Sequence, residues 1–253
     1  MISRQIILAG LIAGCAFVTP AGGASAAEGE HHWTYEGATG PEHWAELSKD
    51  FKTCQTGQKQ TPINLTGATH GKEPAVQFDY HAFPIKILNN GHTIQVNAAP
   101  GSSITIGDTK YELAQFHFHH PSEHLINGKA TDLELHLVHK SAAGGLAVVG
   151  VFLKPGAENA ALKPVFDQMP EKAGPASEVK GSIDPAQLLP ANRGFYRYSG
   201  SLTTPPCSEG IVWTVFKEPI ELSAAQAKQF SDLFKNNARP VQALHGRSLV
   251  ETD

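Results

Sequence analysis

The chain has 253 residues, of which 41% are hydrophobic and 17% are charged, and its net charge is −4. A chain that is disordered throughout is excluded, because disorder requires low hydrophobicity together with high net charge. The 20 basic residues are balanced by 24 acidic ones and form no evident cluster, so the composition argues against a nucleic-acid-binding protein. The unusual feature is the 13 histidines.

The first predicted element is a secretory signal peptide at residues 1–26. Arg4 precedes an apolar run, Ile6–Val18, whose 13 residues are too few to cross a bilayer, which takes about 20. The small residues that follow, with Ala24-Ser25-Ala26, predict cleavage after Ala26. Residues 27–253 are therefore expected as one domain in the periplasm or outside the cell, with no membrane span.

A lipoprotein signal is the alternative for this segment. The sequence Ile12-Ala13-Gly14-Cys15 resembles a lipoprotein cleavage box, which would place a lipid on Cys15. The apolar run continues past Cys15 as far as Val18, and this favours the ordinary signal peptide over lipoprotein anchoring.

The exported chain would keep two cysteines, Cys54 and Cys207. In an oxidising compartment two cysteines more often form a disulfide, whereas two buried free thiols would suit a cytosolic protein. A bridge between them would close a loop of about 150 residues and contribute at most about 5 kcal/mol through the entropy of the unfolded chain.

A short helix is predicted over Glu42–Phe51, where Trp44, Leu47 and Phe51 recur at helical spacing. Short β-type runs follow, separated by turn signals such as Asn90-Gly91. These runs are Ala75–Tyr80, Pro84–Asn89, Thr93–Asn97, Ser103–Ile106, Lys110–His120, Thr131–Lys140 and Leu146–Lys154. Consecutive strands without intervening helices indicate an antiparallel sheet or a barrel.

The C-terminal part adds few elements. Apolar residues between positions 162 and 169 predict a short helix, and Phe195–Ser199 and Ile211–Phe216 predict strands. Ser223 and Gln226 form a capping box that begins a last helix. The predicted fold is mainly β, a single domain with a large, mostly antiparallel, twisted central sheet and short peripheral helices.

Two of the predicted strands carry a histidine and a polar residue on the same face. Gln115, His117 and His119 share one strand face, and Glu134 and His136 share one face of the next strand. If the two strands pair as a hairpin, His136 lies beside the other two histidines. Three neutral imidazoles with an open fourth position are typical of a catalytic zinc site. Gln115 and Glu134 are placed to accept hydrogen bonds from the second ring nitrogens of the ligands.

The same pattern separates these histidines from the others. A single His-x-His on a strand is as often structural as metal-binding, but a second strand with a histidine and a polar partner on one face favours a metal site. His120 and His139 point to the opposite faces and are predicted to be structural. The pattern assigns no role to His124.

Six segments resemble the alpha-class carbonic anhydrases, in the order found in that family. They are Gly40–Trp44, Asn89–His92, Gln115–His119, Pro121–His124, Glu134–His139 and Ser201–Pro206. The resemblance covers about residues 31–250, and the signal peptide and cysteine pair are similar to the secreted bacterial branch. It implies reversible hydration of carbon dioxide to bicarbonate and a proton, by attack of zinc-bound hydroxide. Monomer and homodimer both remain open.

The resemblance also implies the roles of the central residues. Zn²⁺ would be held by His117, His119 and His136. Thr203 would hold the hydroxide, and Glu123 would orient Thr203, because a hydroxyl that donates to a carboxylate must accept its other hydrogen bond.

Other residues match positions that surround the reaction in this family. His92 matches the proton shuttle, for which an imidazole suits neutral pH. The polar water path is matched by Tyr35, Asn90 and Gln95, the last replacing an asparagine common in animal members. The carbon dioxide pocket is matched by Val138, Val148, Leu202, Thr204, Ile211 and Trp213. A Cys54–Cys207 disulfide is implied as well, and it would tether the loop that carries Thr203 and Thr204. His120 stands where animal members usually have tryptophan.

Two other interpretations remain open. The spacing His117-x-His119-x3-Glu123 also fits a cupin, a β-barrel that often holds iron or manganese, but the Thr203 loop and His92 would then have no role. A carbonic anhydrase relative without activity is the second alternative. Such relatives usually lack a ligand histidine, and all three are present here.

Overall fold

The computed structural model describes residues 32–253. The predicted signal peptide at residues 1–26 and the alternative lipidation of Cys15 lie outside these described residues. None of the helices between residues 32 and 253 is long and apolar enough to cross a membrane.

Strands dominate the described residues, and the helices are short. The strands, numbered in chain order, are β1 Asn64–Leu65, β2 Thr69–His70, β3 Val76–Asp79, β4 Phe83–Asn89, β5 Ile94–Asn97, β6 Ser103–Ile106, β7 Thr109–His119, β8 Leu125–Ile126, β9 Leu133–Ser141, β10 Leu146–Pro155, β11 Ser177–Ile183, β12 Phe195–Ser201, β13 Glu209–Phe216, β14 Ile220–Leu222 and β15 Val250–Glu251. The α-helices are α1 Trp44–Leu47, α2 Thr53–Thr56, α3 Lys163–Phe166 and α4 Ala224–Leu233, and 3-10 turns cover Gly37–Thr39, Lys49–Phe51 and Pro185–Leu188. The prediction of a mainly β fold is confirmed.

One 13-stranded sheet forms the body of the described residues. Its main path runs in the order β11-β4-β5-β7-β9-β10-β13-β12-β15-β2. The pairings in this sheet are antiparallel except those of β10 with β13, β10 with β14 and β15 with β2. The sheet is therefore mostly antiparallel, as predicted, but it is mixed. The parallel pairs join strands that are distant in sequence, and strand periodicity carries no information about them.

The first predicted helix is interrupted. Residues 44–47 are α-helical and residues 49–51 form a 3-10 turn, with Ser48 extended between them at φ −153° and ψ 150°. The Ser48 side chain accepts a hydrogen bond from the Asp50 N–H and so caps the second piece. Serine competes for backbone hydrogen bonds in this way, which favours a cap over a helix interior. The helix after Ser223 begins at its predicted capping box.

The strands β7 and β9 pair in an antiparallel register, but their connection is longer than a tight hairpin. The link leaves the large sheet and adds β8, which pairs in parallel with β1. Asn127 and Gly128 reverse the chain at φ values of 49° and 79°, the left-handed conformations that Asn-Gly turns supply.

Apolar side chains cover the central strands on both faces. Phe116, Phe118, Leu135 and Leu137 belong to a large buried cluster on one face. Burying side chains of this size contributes about 1.5–3 kcal/mol each, which fixes the register of β7 against β9. Because alternate residues point to opposite faces, the same register directs the even-numbered Glu134 and His136 to the other face.

His139 lies on the face of the large apolar cluster, not on the face of His136. It is fully buried, and its Nε2 lies 2.8 Å from the Tyr80 hydroxyl and its Nδ1 3.3 Å from the Ala147 carbonyl oxygen. An Nδ1–H that donates to the carbonyl leaves Nε2 to accept from Tyr80, which requires a neutral ring. Burial lowers the pKa of His139 to about 4.

We expect this histidine to make the protein less stable in acid. Between pH 6.5 and 4 the unfolded chain binds a proton at His139 that the folded chain excludes, so stability falls as the pH falls. From pH 7 to pH 4.5 this one group should cost about 2 kcal/mol. The variant His139→Gln keeps an acceptor for Tyr80 but has no imidazole to protonate. In urea titrations at pH 7 and pH 4.5, its free energy of unfolding should therefore fall by about 2 kcal/mol less than that of the parent. An exposed control, His245→Gln, should behave as the parent does, and equal losses in His139→Gln and the parent would contradict the assignment.

Candidate metal centre

The register of β7 and β9 brings three histidines together. His117 is the direct partner of His136 across the two strands, and His119 is the partner of Glu134. The ring centroids of the three imidazoles lie 4.6–5.4 Å apart. One ring nitrogen from each lies within 4.8 Å of the other two, a spacing from which they could hold one metal ion.

The second nitrogen of each ring is held by an oxygen. His117 Nδ1 lies 2.8 Å from Gln115 Oε1, and His136 Nε2 lies 2.8 Å from Glu134 Oε1. His119 Nδ1 lies 2.8 Å from the carbonyl oxygen of Asn237. Since these oxygens accept hydrogen bonds, the ring nitrogens facing them donate. The lone pairs of the remaining nitrogens are therefore free to bind a cation.

The surroundings keep the three rings neutral, which is the form that binds metals. Burial lowers the pKa of His119 to about 4, and burial together with the neighbouring histidines lowers the pKa of His117 well below its usual value. The pKa of His136 is lowered by burial as well, against the opposing effect of Glu134. Among the residues that the structure describes, His119 Nε2 is buried without a hydrogen-bond partner, and a metal ion would satisfy it.

A second histidine and carboxylate group lies behind the triad. His124, Glu134 and His136 also bring ligand atoms within 4.8 Å of one another. However, His124 uses both ring nitrogens, Nδ1 at 2.7 Å from Glu134 Oε1 and Nε2 at 2.6 Å from the Tyr198 hydroxyl. Burial would raise the pKa of Glu134, but His124 and His136 hold it well below its usual value. This group therefore acts as a charged support for the triad.

Glu123 lies beside the triad and is 1% exposed. Its Oε1 accepts a hydrogen bond of 2.9 Å from the Arg239 backbone N–H, and its Oε2 lies 3.4 Å from His119 Nε2. Burial raises the pKa of this carboxyl group to about 7, and the Thr203 hydroxyl is among the groups that oppose the shift. Thr203 itself is buried.

An opening of about 120 Å³ extends from His117 and His119 to the exposed residue Asn90. Its lining contains Trp33, Tyr35, Asn90, His92, Thr93, Gln95, Gln115, His117, His119 and Thr204. The cleft thus brings the predicted water-path residues and Thr204 together with two histidines of the triad. We call it the histidine cleft.

His92 is held at this cleft by a ring stack and by its own loop. Its ring stacks on Trp33 with centroids 3.6 Å apart and planes 5° apart. Asn90 Oδ1 accepts hydrogen bonds from the backbone N–H groups of His92 and Thr93, both at 2.9 Å. The Asn90 side chain therefore shapes the turn that carries His92. From the sequence alone, Asn90 is assigned only to the water path.

Comparison with known proteins identifies the family. Residues 39–253 match the sequence profile of the eukaryotic-type carbonic anhydrases. The chain belongs to this family, the alpha-class carbonic anhydrases. A carbonic anhydrase from Nostoc sp. is 48% identical over 226 residues, 87% of this chain and 86% of that protein. One from Neisseria gonorrhoeae is 40% identical over 230 residues, 90% of this chain and 91% of that protein.

Solved structures agree with this assignment. The alpha-carbonic anhydrase of Thermovibrio ammonificans, in complex with the inhibitor sulfanilamide, superposes with a TM-score of 0.85 at 44% identity. The match covers 88% of this chain and all of that one. The protein is accordingly an enzyme of the carbonic anhydrase type.

The disulfide is present in this carbonic anhydrase fold. Cys54 and Cys207 are bonded across 153 residues of sequence, and both are buried. The Cys207 N–H donates to the Thr204 carbonyl oxygen at 2.8 Å, and Gln60 Nε2 donates to the Cys207 carbonyl oxygen at 3.0 Å. The bridge therefore anchors the loop that carries Thr203 and Thr204, as the resemblance implied.

The predicted apolar pocket residues form one cluster next to the triad. Val148, Ile211 and Trp213 are buried, and Val138 and Leu202 pack against them. The Trp213 ring lies 4.9 Å from the His136 ring, and its Nε1–H donates to the Ser201 carbonyl oxygen at 2.9 Å. The indole thus contacts a triad histidine and holds the strand that leads to Leu202.

Sequence reasoning missed several residues of this site. Asn237 contacts His119 of the triad, and Arg239 contacts Glu123. Trp33 stacks on His92, and Tyr198 contacts His124. The Asn237 and Tyr198 contacts join residues 118 and 74 positions apart. The pattern of a single sequence contains no signal for such contacts.

Proposed function

We propose that the protein catalyses the reversible hydration of carbon dioxide to bicarbonate and a proton, with Zn²⁺ held by His117, His119 and His136. The observation that carries this proposal is the convergence of three neutral imidazoles, each fixed through its other nitrogen by an oxygen acceptor. That donor set suits zinc, which when bound lowers the pKa of a water ligand to about 7; carbonic anhydrase is the standard example.

We assign Thr203 and Glu123 to orientation of the nucleophile. Glu123 accepts from the Arg239 N–H through one oxygen, which leaves the other to accept from the Thr203 hydroxyl. A cation at the triad would favour the charged form of Glu123, despite its burial. Thr203 would then have only a lone pair to offer, so it accepts a hydrogen bond from the attacking oxygen and sets its direction.

Carbon dioxide has no net dipole, so an apolar pocket suits it. We assign that pocket to the cluster beside the triad and to Thr204 at its polar edge. The cluster residues are Val138, Val148, Leu202, Ile211 and Trp213. Their closeness to His136 supports this role, because the substrate must lie within reach of the metal.

The proton released in each turnover must leave the site, and we assign this step to His92. The histidine cleft supports the role, since His92, Tyr35, Asn90 and Gln95 line it together with His117 and His119. An imidazole can take up and release a proton near neutral pH. Water molecules bridging from the triad would complete the path.

His92→Ala should slow hydration in weak buffer by about tenfold or more while carbon dioxide and bicarbonate still interconvert at the metal, because only proton removal is lost. Added imidazole should restore much of the rate, since it can collect the proton itself. Isotope exchange between carbon dioxide and bicarbonate measures the first step separately. A matched control, His120→Ala, removes a nearby imidazole that lies outside the histidine cleft and should change neither step. Equal loss of both steps in His92→Ala without rescue would contradict the shuttle.

Metal analysis combined with a hydration assay tests the proposed function itself. The purified mature protein should contain about one zinc per chain, lose hydratase activity on chelation and regain it with added zinc. Iron at full occupancy without hydratase activity would support the cupin interpretation instead. Zinc at full occupancy without activity would support the inactive relative.

We further propose that the enzyme is exported as residues 27–253 by a signal peptide of residues 1–26. The buried Cys54–Cys207 disulfide supports an oxidising compartment, because such bridges are rare in the cytosol. Fractionation and N-terminal sequencing of the mature protein test this. A start near Ala27 supports the proposal, whereas a lipidated Cys15 at the N-terminus would replace it.

A further inference from the structure

A second and larger cleft lies apart from the histidine cleft. It has a volume of about 580 Å³ and runs along β12, β13 and β15 to the turn between β6 and β7. Of the residues that the structure describes, none lines both clefts. Small-molecule sites typically enclose about 300–1,000 Å³, so this one is large enough for an organic ligand. We call it the Arg197 cleft, lined by Arg197, Ile106, Tyr111, Val212 and Val250.

The cleft carries an excess of positive charge. Lys59, Arg197 and Arg247 line it, and among residues 32–253 Glu73 is its one acidic lining residue. The Arg247 guanidinium is already used, because it donates to the carbonyl oxygens of Leu244, Ser199, Gln60 and Ala243 at 2.7–3.0 Å. Arg247 therefore contributes a fixed charge, and the capacity to bind a ligand rests mainly with Arg197.

Arg197 is a buried guanidinium with spare donors. It is 6% exposed, and the one hydrogen bond that it donates within the described residues is long, from Nη2 to the Pro74 carbonyl oxygen at 3.3 Å. Within residues 32–253, no carboxylate forms an ion pair with it, and its Nε has no partner. On the neighbouring strand β13, the hydroxyl of Thr214, the register partner of Arg197, is also buried without a partner in the described part of the chain. A guanidinium has five donors, and leaving buried donors unpaired is costly.

The walls of the cleft restrict the ligand. Ile106, Val212 and Val250 are apolar, and Tyr111 adds an aromatic ring. A strongly hydrated inorganic anion would lose its water against such walls without compensation. Glu73 disfavours a ligand with several negative charges. An arginine fork matches the two oxygens of a carboxylate.

We propose that the Arg197 cleft binds a small organic monocarboxylate with an aromatic or branched aliphatic body. Its carboxylate contacts the Arg197 guanidinium, and its body lies against the apolar wall formed by Val212 and Val250. The site is separate from the metal centre and independent of the hydration reaction.

Equilibrium dialysis with 2-naphthoate tests the proposal, in the absence and in the presence of sulfanilamide, because carboxylates can also bind at a metal. We expect saturable binding of one 2-naphthoate per chain that sulfanilamide does not displace. The neutral 2-naphthamide should bind about 10- to 100-fold more weakly, since it lacks the charge-assisted hydrogen bonds. Absence of saturable binding, displacement by sulfanilamide, or equal binding of the amide would each overturn the proposal.

Variants locate the site. Arg197→Gln should weaken 2-naphthoate binding by about 10- to 100-fold and leave 2-naphthamide binding nearly unchanged. Ser248→Trp changes an exposed residue of the lining, so it should fold normally, block the cleft and abolish binding of both probes. Arg193→Gln is the control, because Arg193 packs over Phe78 and Phe216 and is not part of the lining. Unchanged binding in Ser248→Trp would overturn the assignment even if Arg197→Gln failed to fold.

Discussion

Replacing His119 by alanine should remove zinc from the protein and reduce carbon dioxide hydration to the uncatalysed rate. His119 is 1% exposed, and its Nδ1 is already held by the Asn237 carbonyl oxygen, so its Nε2 is the atom available to a metal. Without it, two imidazoles remain, fewer than the three protein ligands of catalytic zinc sites. His117→Ala and His136→Ala should behave in the same way.

The size of the effect can be ranked within the same site. Replacing a residue that only supports a ligand typically lowers metal affinity by about 10–100-fold. The affinity loss in Glu134→Ala should therefore lie in that range, and the loss on replacing a ligand should exceed it. His120→Ala is the matched control: it removes the adjacent imidazole, whose Nδ1 bonds the Lys235 carbonyl oxygen outside the triad, and should retain full metal content. Zinc content after dialysis against a competing chelator measures all three. A His119→Ala protein that keeps its zinc would exclude His119 as a ligand.

The features that could be predicted from the sequence are those that depend on the alternation of side chains along a strand. The strand at Ser103–Ile106 has the predicted bounds, and the face shared by Gln115, His117 and His119 follows from a period of two. To place His136 beside this face, it was enough to assume that the two strands pair, as strands consecutive in sequence commonly do. Local pattern was therefore sufficient for the three candidate ligands.

Contacts between distant segments could not be predicted in this way. The Asn237 carbonyl that holds His119 follows helix α4, and a backbone carbonyl is present at every position of any sequence. His124 lies in an irregular link, where no period relates it to Glu134 and Tyr198. The break at Ser48 depends on one side-chain hydrogen bond that competes with a helical pattern of apolar residues. Each of these features is decided by tertiary packing.

Thr203→Ala should separate orientation of the nucleophile from metal binding. The variant should keep about one zinc per chain, because Thr203 is not among the triad, and it should lose hydration by on the order of 100-fold. The physical reason is geometric: without an acceptor at this position, the attacking oxygen can direct a hydrogen instead of a lone pair at the carbon of the substrate. The losses in kcat/KM and kcat should be similar, as expected for an interaction made in the transition state.

Thr203→Ser provides the matched control, because serine keeps the hydroxyl and removes one methyl group. If the hydrogen bond from Thr203 to Glu123 sets the direction, serine should retain most of the activity that alanine loses. Glu123→Gln should then resemble Thr203→Ala, since an amide nitrogen facing Thr203 would donate to its hydroxyl and reverse the hydrogen-bond direction. Near-normal hydration by Thr203→Ala with zinc in place would remove Thr203 from the mechanism. A loss in Thr203→Ser as large as in Thr203→Ala would assign the effect to packing of the loop that Cys54–Cys207 anchors.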